Sequence, residues 1–113
     1  MAKHSTGFNL TGDVANTILT VPTGYDAEIT FLFIVNAGNS TKTVTATWHN
    51  NVNVIFLSGK SVTASDHVEF GGPFGAFLIL REGDYMTVEP EAGSTFSAII
   101  SYNLYPSAPR FNI

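Results

Sequence analysis

Residues 31–36, FLFIVN, are apolar at consecutive positions, whereas a strand with one face in water alternates apolar with polar. The segment 42–50, KTVTATWHN, keeps strict alternation: Val44, Ala46 and Trp48 fall on one face and Thr43, Thr45, Thr47 and His49 on the other. The segment 95–105, TFSAIISYNLY, is intermediate. Phe96, Ala98, Ile100, Tyr102 and Leu104 share one face, while Ile99 and Tyr105 interrupt the polar one. No long window carries apolar residues at helical spacing, and Thr, Val, Ile, Phe and Tyr, which suit pleated surfaces, are abundant.

Turn signals (TGD, PTGYD, AGNSTK, HNN, SGK, ASD, GGPFG, REGD, PEAGS) cut the chain at short intervals. The segments between them predict strands at 15–21, 27–36, 42–50, 53–58, 65–71, 76–80, 84–90 and 95–105. This is an all-β pattern, and its number fits an eight-stranded antiparallel β-sandwich of jelly-roll type. An immunoglobulin-like sandwich is the near competitor and lacks the Cys pair that would flank its Trp. The 113 residues suffice for a single domain, with a core at about 14–105. Residues 1–12 are polar and contain glycine, and 106–113, PSAPRFNI, carry two prolines, so both ends read as arms or as frayed termini. Phe111 and Ile113 favour an arm that docks.

Strict alternation at 27–36 places Ile29, Phe31, Phe33 and Val35 on one face and Leu32 and Ile34, with Glu28, Thr30 and Asn36, on the other. One sandwich has one interior and cannot bury both faces of two strands. Leu32, Ile34, Ile99 and Tyr105 are therefore expected to meet another subunit. The competing expectation is that loops fold back over them.

Charge sharpens this picture. Charged residues are only 12 % of the chain, about half of the ~25 % usual in soluble domains. A surface of Ser, Thr and Asn, with little repulsion, tolerates close contact with other proteins. The net charge of −4 and five scattered cations argue against nucleic acid as a partner. No segment reaches the ~18 apolar residues of a membrane helix, and the first ten residues do not read as a secretory signal. Cysteine is absent, which permits a reducing cytosol.

Catalytic and cofactor chemistry is not legible. His4, His49 and His67 have no metal-ligand spacing, although His49 and His67 are the candidates should the fold bring ligands together. The carboxylates Asp13, Asp26, Asp66, Glu82 and Asp84 sit in turns, where they commonly bond their own backbone. Glu82, Asp84, Glu89 and Glu91 lack the loop spacing of a calcium site. LSGKS has Val54 where a phosphate-binding loop needs glycine. GGPFG reads as a sharp corner, with Phe74 at its tip. No cofactor is expected, and an enzyme is disfavoured because no nucleophile or acid–base pair stands out. A lectin-like use of the aromatic residues is the rival class, through loop aromatics such as Tyr25, Phe74 and Tyr85. Trp48 is expected in the core.

VPTGYDAEITFLFIVNAGNSTKTVTATWHN and LREGDYMTVEPEAGSTFSAIISYNLY resemble small virion proteins of tailed phages. The likeness lies in an aromatic-bearing turn, an apolar strand, a Thr-rich strand, a Gly-Asp turn and a closing strand that ends in Ser-Tyr. It covers roughly 14–105. It implies a jelly-roll decoration or cement protein, commonly a trimer, without enzymatic activity or cofactor. The expected partner is the major capsid protein, on the outside of a virion assembled in the bacterial cytoplasm. Lys3, His4, Phe8, Arg110 and Phe111, on the two arms, are the expected capsid contacts. Tail and head-fibre modules that bind a host glycan are the alternative within the same resemblance.

Overall fold

The computed structural model describes residues 2–71 and 76–107. Among them the chain is all-β, with nine strands: β1 Ala2–Leu10, β2 Asn16–Thr20, β3 Tyr25–Asn36, β4 Lys42–His49, β5 Asn53–Val62, β6 His67–Gly71, β7 Leu78–Leu80, β8 Tyr85–Pro90 and β9 Phe96–Pro106. Every pairing is antiparallel. One sheet runs β1-β9-β3-β6, with β7 also paired to β3; the other runs β2-β8-β4-β5. The two sheets enclose one apolar interior, a sandwich-like arrangement.

Each of the eight segments expected from the sequence forms a strand. The ninth, β1, lies where the sequence suggested a polar arm. Its nine residues pair in unbroken register with β9, from Ala2 opposite Leu104 to Leu10 opposite Phe96. An edge strand needs few apolar residues, and here Leu10 is buried while Phe8 packs partly against the core. At the other end, Pro106 closes β9 opposite Tyr25. Ser107 follows, donating its N–H to the Gly24 carbonyl (2.9 Å) and its hydroxyl to Asp26 (3.0 Å). The rest of the expected C-terminal arm, 108–113 with Arg110 and Phe111, and Phe74 in 72–75 lie outside the described residues.

The smaller sheet follows simple alternation. Val44 and Ala46 of β4 are buried with Met86 and Val88 of β8, and Trp48 is half-buried beside them. Threonines cover the outer side of β4, as expected.

β3 does not follow simple alternation. Ile29 pairs with Tyr102 and Phe31 with Ser101, so Thr30 is an extra residue on β3 with no counterpart on β9. Such a β-bulge shifts every later side chain by one position. Before it Ala27 and Ile29 point inward; after it Leu32, Ile34 and Asn36 do, all with no accessible surface. Leu32 and Ile34, expected as subunit contacts, are therefore core residues. Phe31, Phe33 and Val35 turn outward in their place.

Two features hold this arrangement. Gly71, on β6 opposite Phe31, has φ of 96°. A Cβ there would lie 2.1 Å from the Thr30 carbonyl oxygen, so the bulge fills the space that only glycine leaves. At the end of β3 the buried Asn36 side chain donates to the carbonyls of Ser40 (2.8 Å) and Val62 (2.9 Å) and accepts from the Gly38 N–H (3.0 Å). It thus ties the β3–β4 turn to the end of β5 and satisfies backbone groups that burial would otherwise strand.

Gly71→Ala is expected to destabilise the fold by roughly 3 kcal/mol or more, because the new Cβ meets backbone and not a yielding side chain. Urea unfolding measures this. A loss below about 1 kcal/mol would mean that the Thr30 bulge relaxes without cost.

Candidate functional site

The bulge gives the larger sheet an unusual outer face. Its pairings set out three rows across β1, β9, β3 and β6: Ser5, Ser101, Phe31, Gly71; then Gly7, Ile99, Phe33, Glu69; then Asn9, Ser97, Val35, His67. The centre is apolar. Ile99 is 44 % exposed, and its neighbour Gly7 offers no side chain to cover it. The Phe31 and Phe33 rings lie 6.0 Å apart, and Phe33 stacks on the His67 imidazole at 4.7 Å.

The margin is polar and self-bonded. The hydroxyls of Ser5 and Ser101 lie 2.8 Å apart, and Ser97 donates to the Asn9 side-chain oxygen at 3.0 Å. His67 lies 3.7 Å from an Asp66 oxygen and 3.8 Å from a Glu69 oxygen. Beyond the bulge the face continues through Lys3, Asn103, Glu28 and the exposed Ile79, and Asn103 donates to Glu28 at 3.3 Å. An apolar centre ringed by satisfied polar groups is the anatomy of a protein contact surface.

The outer face of the smaller sheet differs. Thr17, Thr87 and Thr47 align across β2, β8 and β4, and the exposed Ile55 of β5 ends the row. His49 lies 2.8 Å from the Thr87 hydroxyl and 2.7 Å from the Asn53 side-chain oxygen, and its ring stacks on Tyr85 at 4.3 Å. His49 thus engages both the Thr87 hydroxyl and the Tyr85 ring.

Of the expected contact residues, Ile99 lies at the centre of the aromatic face. Tyr105 is half-buried near the end of β9, opposite Asp26. On β1, Lys3 and His4 are exposed, with His4 stacked on Tyr102 at 5.1 Å. Phe8, expected at the capsid, packs against the core instead. Tyr25 and Tyr85 are both exposed and belong to different sheets. Among the described residues no group of three or more His, Asp or Glu side chains gathers as a metal site.

Phe31, Phe33 and Val35 are the outward-facing residues that alternation alone misplaced. The spacing of the aliphatic residues carried the missing signal: Ile29, Leu32 and Ile34 step by three and then two, which a regular strand cannot bury on one side.

In comparisons with known proteins, no family model matches the chain and no curated protein is a significant match.

Ile99→Thr is expected to leave stability within about 0.5 kcal/mol of the parent. Ile34→Thr, which buries a hydroxyl in the core, is expected to cost roughly 3 kcal/mol. Paired denaturation curves decide the matter; equal losses would place both residues in one environment.

Proposed function

We propose that this chain is a structural protein of a tailed-phage virion that decorates the icosahedral capsid and cements neighbouring major capsid proteins, acting as a homotrimer and without catalysis. The observation that carries the reading is the aromatic outer face of the larger sheet, an adhesive surface on a weakly charged domain. The resemblance of the sequence to small phage virion proteins supplies the setting: the capsid exterior, after synthesis in the bacterial cytoplasm.

The strand order supports the jelly-roll part of this reading. With the short β7 set aside, β1, β9, β3 and β6 form one sheet and β2, β8, β4 and β5 the other, so the chain passes back and forth between them. Double-sheet jelly rolls of this kind recur in viral capsid domains and lectins.

The mechanism is mechanical. Phe31, Phe33, Val35 and Ile99 join copies to one another. Lys3 and His4 on β1, with Arg110 and Phe111 at the C-terminal end, meet the shell. A standard interface buries about 800 Å2 per partner, and repetition over many sites lets modest affinity hold the lattice.

Light scattering during size-exclusion chromatography tests this reading. The parent chain is expected to run as a trimer, and Ile99→Lys as a monomer with an unchanged melting temperature. Cosedimentation with empty capsids should then fall at least tenfold for the variant. A parent chain that is monomeric and ignores capsids would overturn the proposal.

A further inference from the structure

Between the β4–β5 turn and the β7–β8 turn a groove of roughly 670 Å3 opens, reaching Ile79 at the far margin of the larger sheet's outer face. We propose that this groove is a binding site for a neutral sugar, with Trp48 as its stacking platform. The inference is independent of the capsid reading.

Trp48 lines the groove in a fixed pose. Its indole N–H donates to the Asp84 carboxylate at 3.2 Å, and the same oxygen accepts the Arg81 backbone N–H at 3.0 Å. The ring is therefore held by the turn that forms the opposite wall. It also borders a smaller apolar pocket of about 230 Å3 lined by Phe56, Phe70, Phe77 and Leu78.

The β4–β5 turn is equally set. The Asn50 side-chain oxygen accepts the Val52 N–H at 2.9 Å, and the Asn50 N–H donates to the Val52 carbonyl at 3.1 Å. This leaves the Asn50 amide nitrogen and the whole Asn51 amide as planar hydrogen-bonding groups at the groove. The second Asp84 oxygen has no protein partner among the described residues.

The donor set selects the ligand. A pyranose offers an apolar C–H face to an indole and a ring of hydroxyls, each both donor and acceptor, to amide and carboxylate groups. The groove also carries Arg81, Glu82 and Asp84. Arg81 is drawn toward Asp26 (3.3 Å), and Glu82 accepts the Gly24 N–H (2.6 Å). Two carboxylates against one guanidinium disfavour phosphates and acidic sugars. Val52 and Ile79 add apolar surface beside Trp48, and the amide and charged groups among them disfavour a purely apolar ligand. The volume lies within the ~300–1,000 Å3 range of small-molecule clefts.

Trp48 is the only tryptophan in the chain, so no other indole contributes to the emission that reports on this groove. The test is a fluorescence titration of the intact protein with glucose, galactose, mannose, N-acetylglucosamine and their short oligomers, checked by saturation-transfer NMR. At least one sugar is expected to give a saturable change in emission and to shield Trp48 from iodide quenching. Asn51→Ala, in an exposed turn, should weaken that sugar roughly tenfold without lowering the melting temperature. Trp48→Phe should abolish the NMR transfer or weaken binding further. No response to any sugar in either measurement, or affinity unchanged in both variants, would overturn the proposal.

Discussion

The extra residue at Thr30 decides which side of the larger sheet is core and which is surface. β3 is the hub of that sheet, paired with β9 on one side and with β6 and β7 on the other. Without the bulge, Ile29 could share the interior only with Phe31, Phe33 and Val35, leaving Leu32 and Ile34 outside. With it, slim aliphatic side chains fill the narrow space between the sheets and the aromatic rings go to water. The Thr30 carbonyl occupies the space beside Gly71, so the shift depends on glycine at the end of a neighbouring strand.

The consequence is a domain with two unlike faces. Threonines and the engaged His49 cover most of the smaller sheet, with the exposed Ile55 on its β5 edge. The larger sheet shows Phe31, Phe33, Val35 and Ile99 within a border of Ser, Asn, Glu and His. Exposed apolar surface costs free energy until it is covered, and a low charge density removes the repulsion that would keep copies apart. The asymmetry would give the proposed association a direction, and the Trp48 groove meets the margin of that face at Ile79.

Much of the fold was legible in the sequence. Period-two patterning located eight strands, and the strict alternation of Val44, Ala46 and Trp48 fixed one buried face correctly. β1 escaped notice because an edge strand with Thr6, Asn9 and Gly7 buries too little to show a pattern; its pairing to β9 is a tertiary fact. The exposed apolar face was harder. The doubled hydrophobicity of FLFIVN pointed to a surface that needs covering, and Ile99 was placed on it. Leu32 and Ile34 were assigned to the wrong side because a bulge depends on the register between strands, which periodicity within one strand does not encode. The Trp48 groove was not legible at all, since its two walls are 30 residues apart in sequence.

The central claim is that the Thr30 bulge turns Phe33 outward and Ile34 inward. The chain has no cysteine, so single-cysteine variants report accessibility without background. Maleimide labelling of Phe33→Cys and Ile34→Cys in the folded protein tests the claim directly. Rapid labelling at 33 and strong protection at 34 are predicted, with protection spreading to 33 as copies associate at high concentration. Faster labelling at 34 than at 33 would contradict the account.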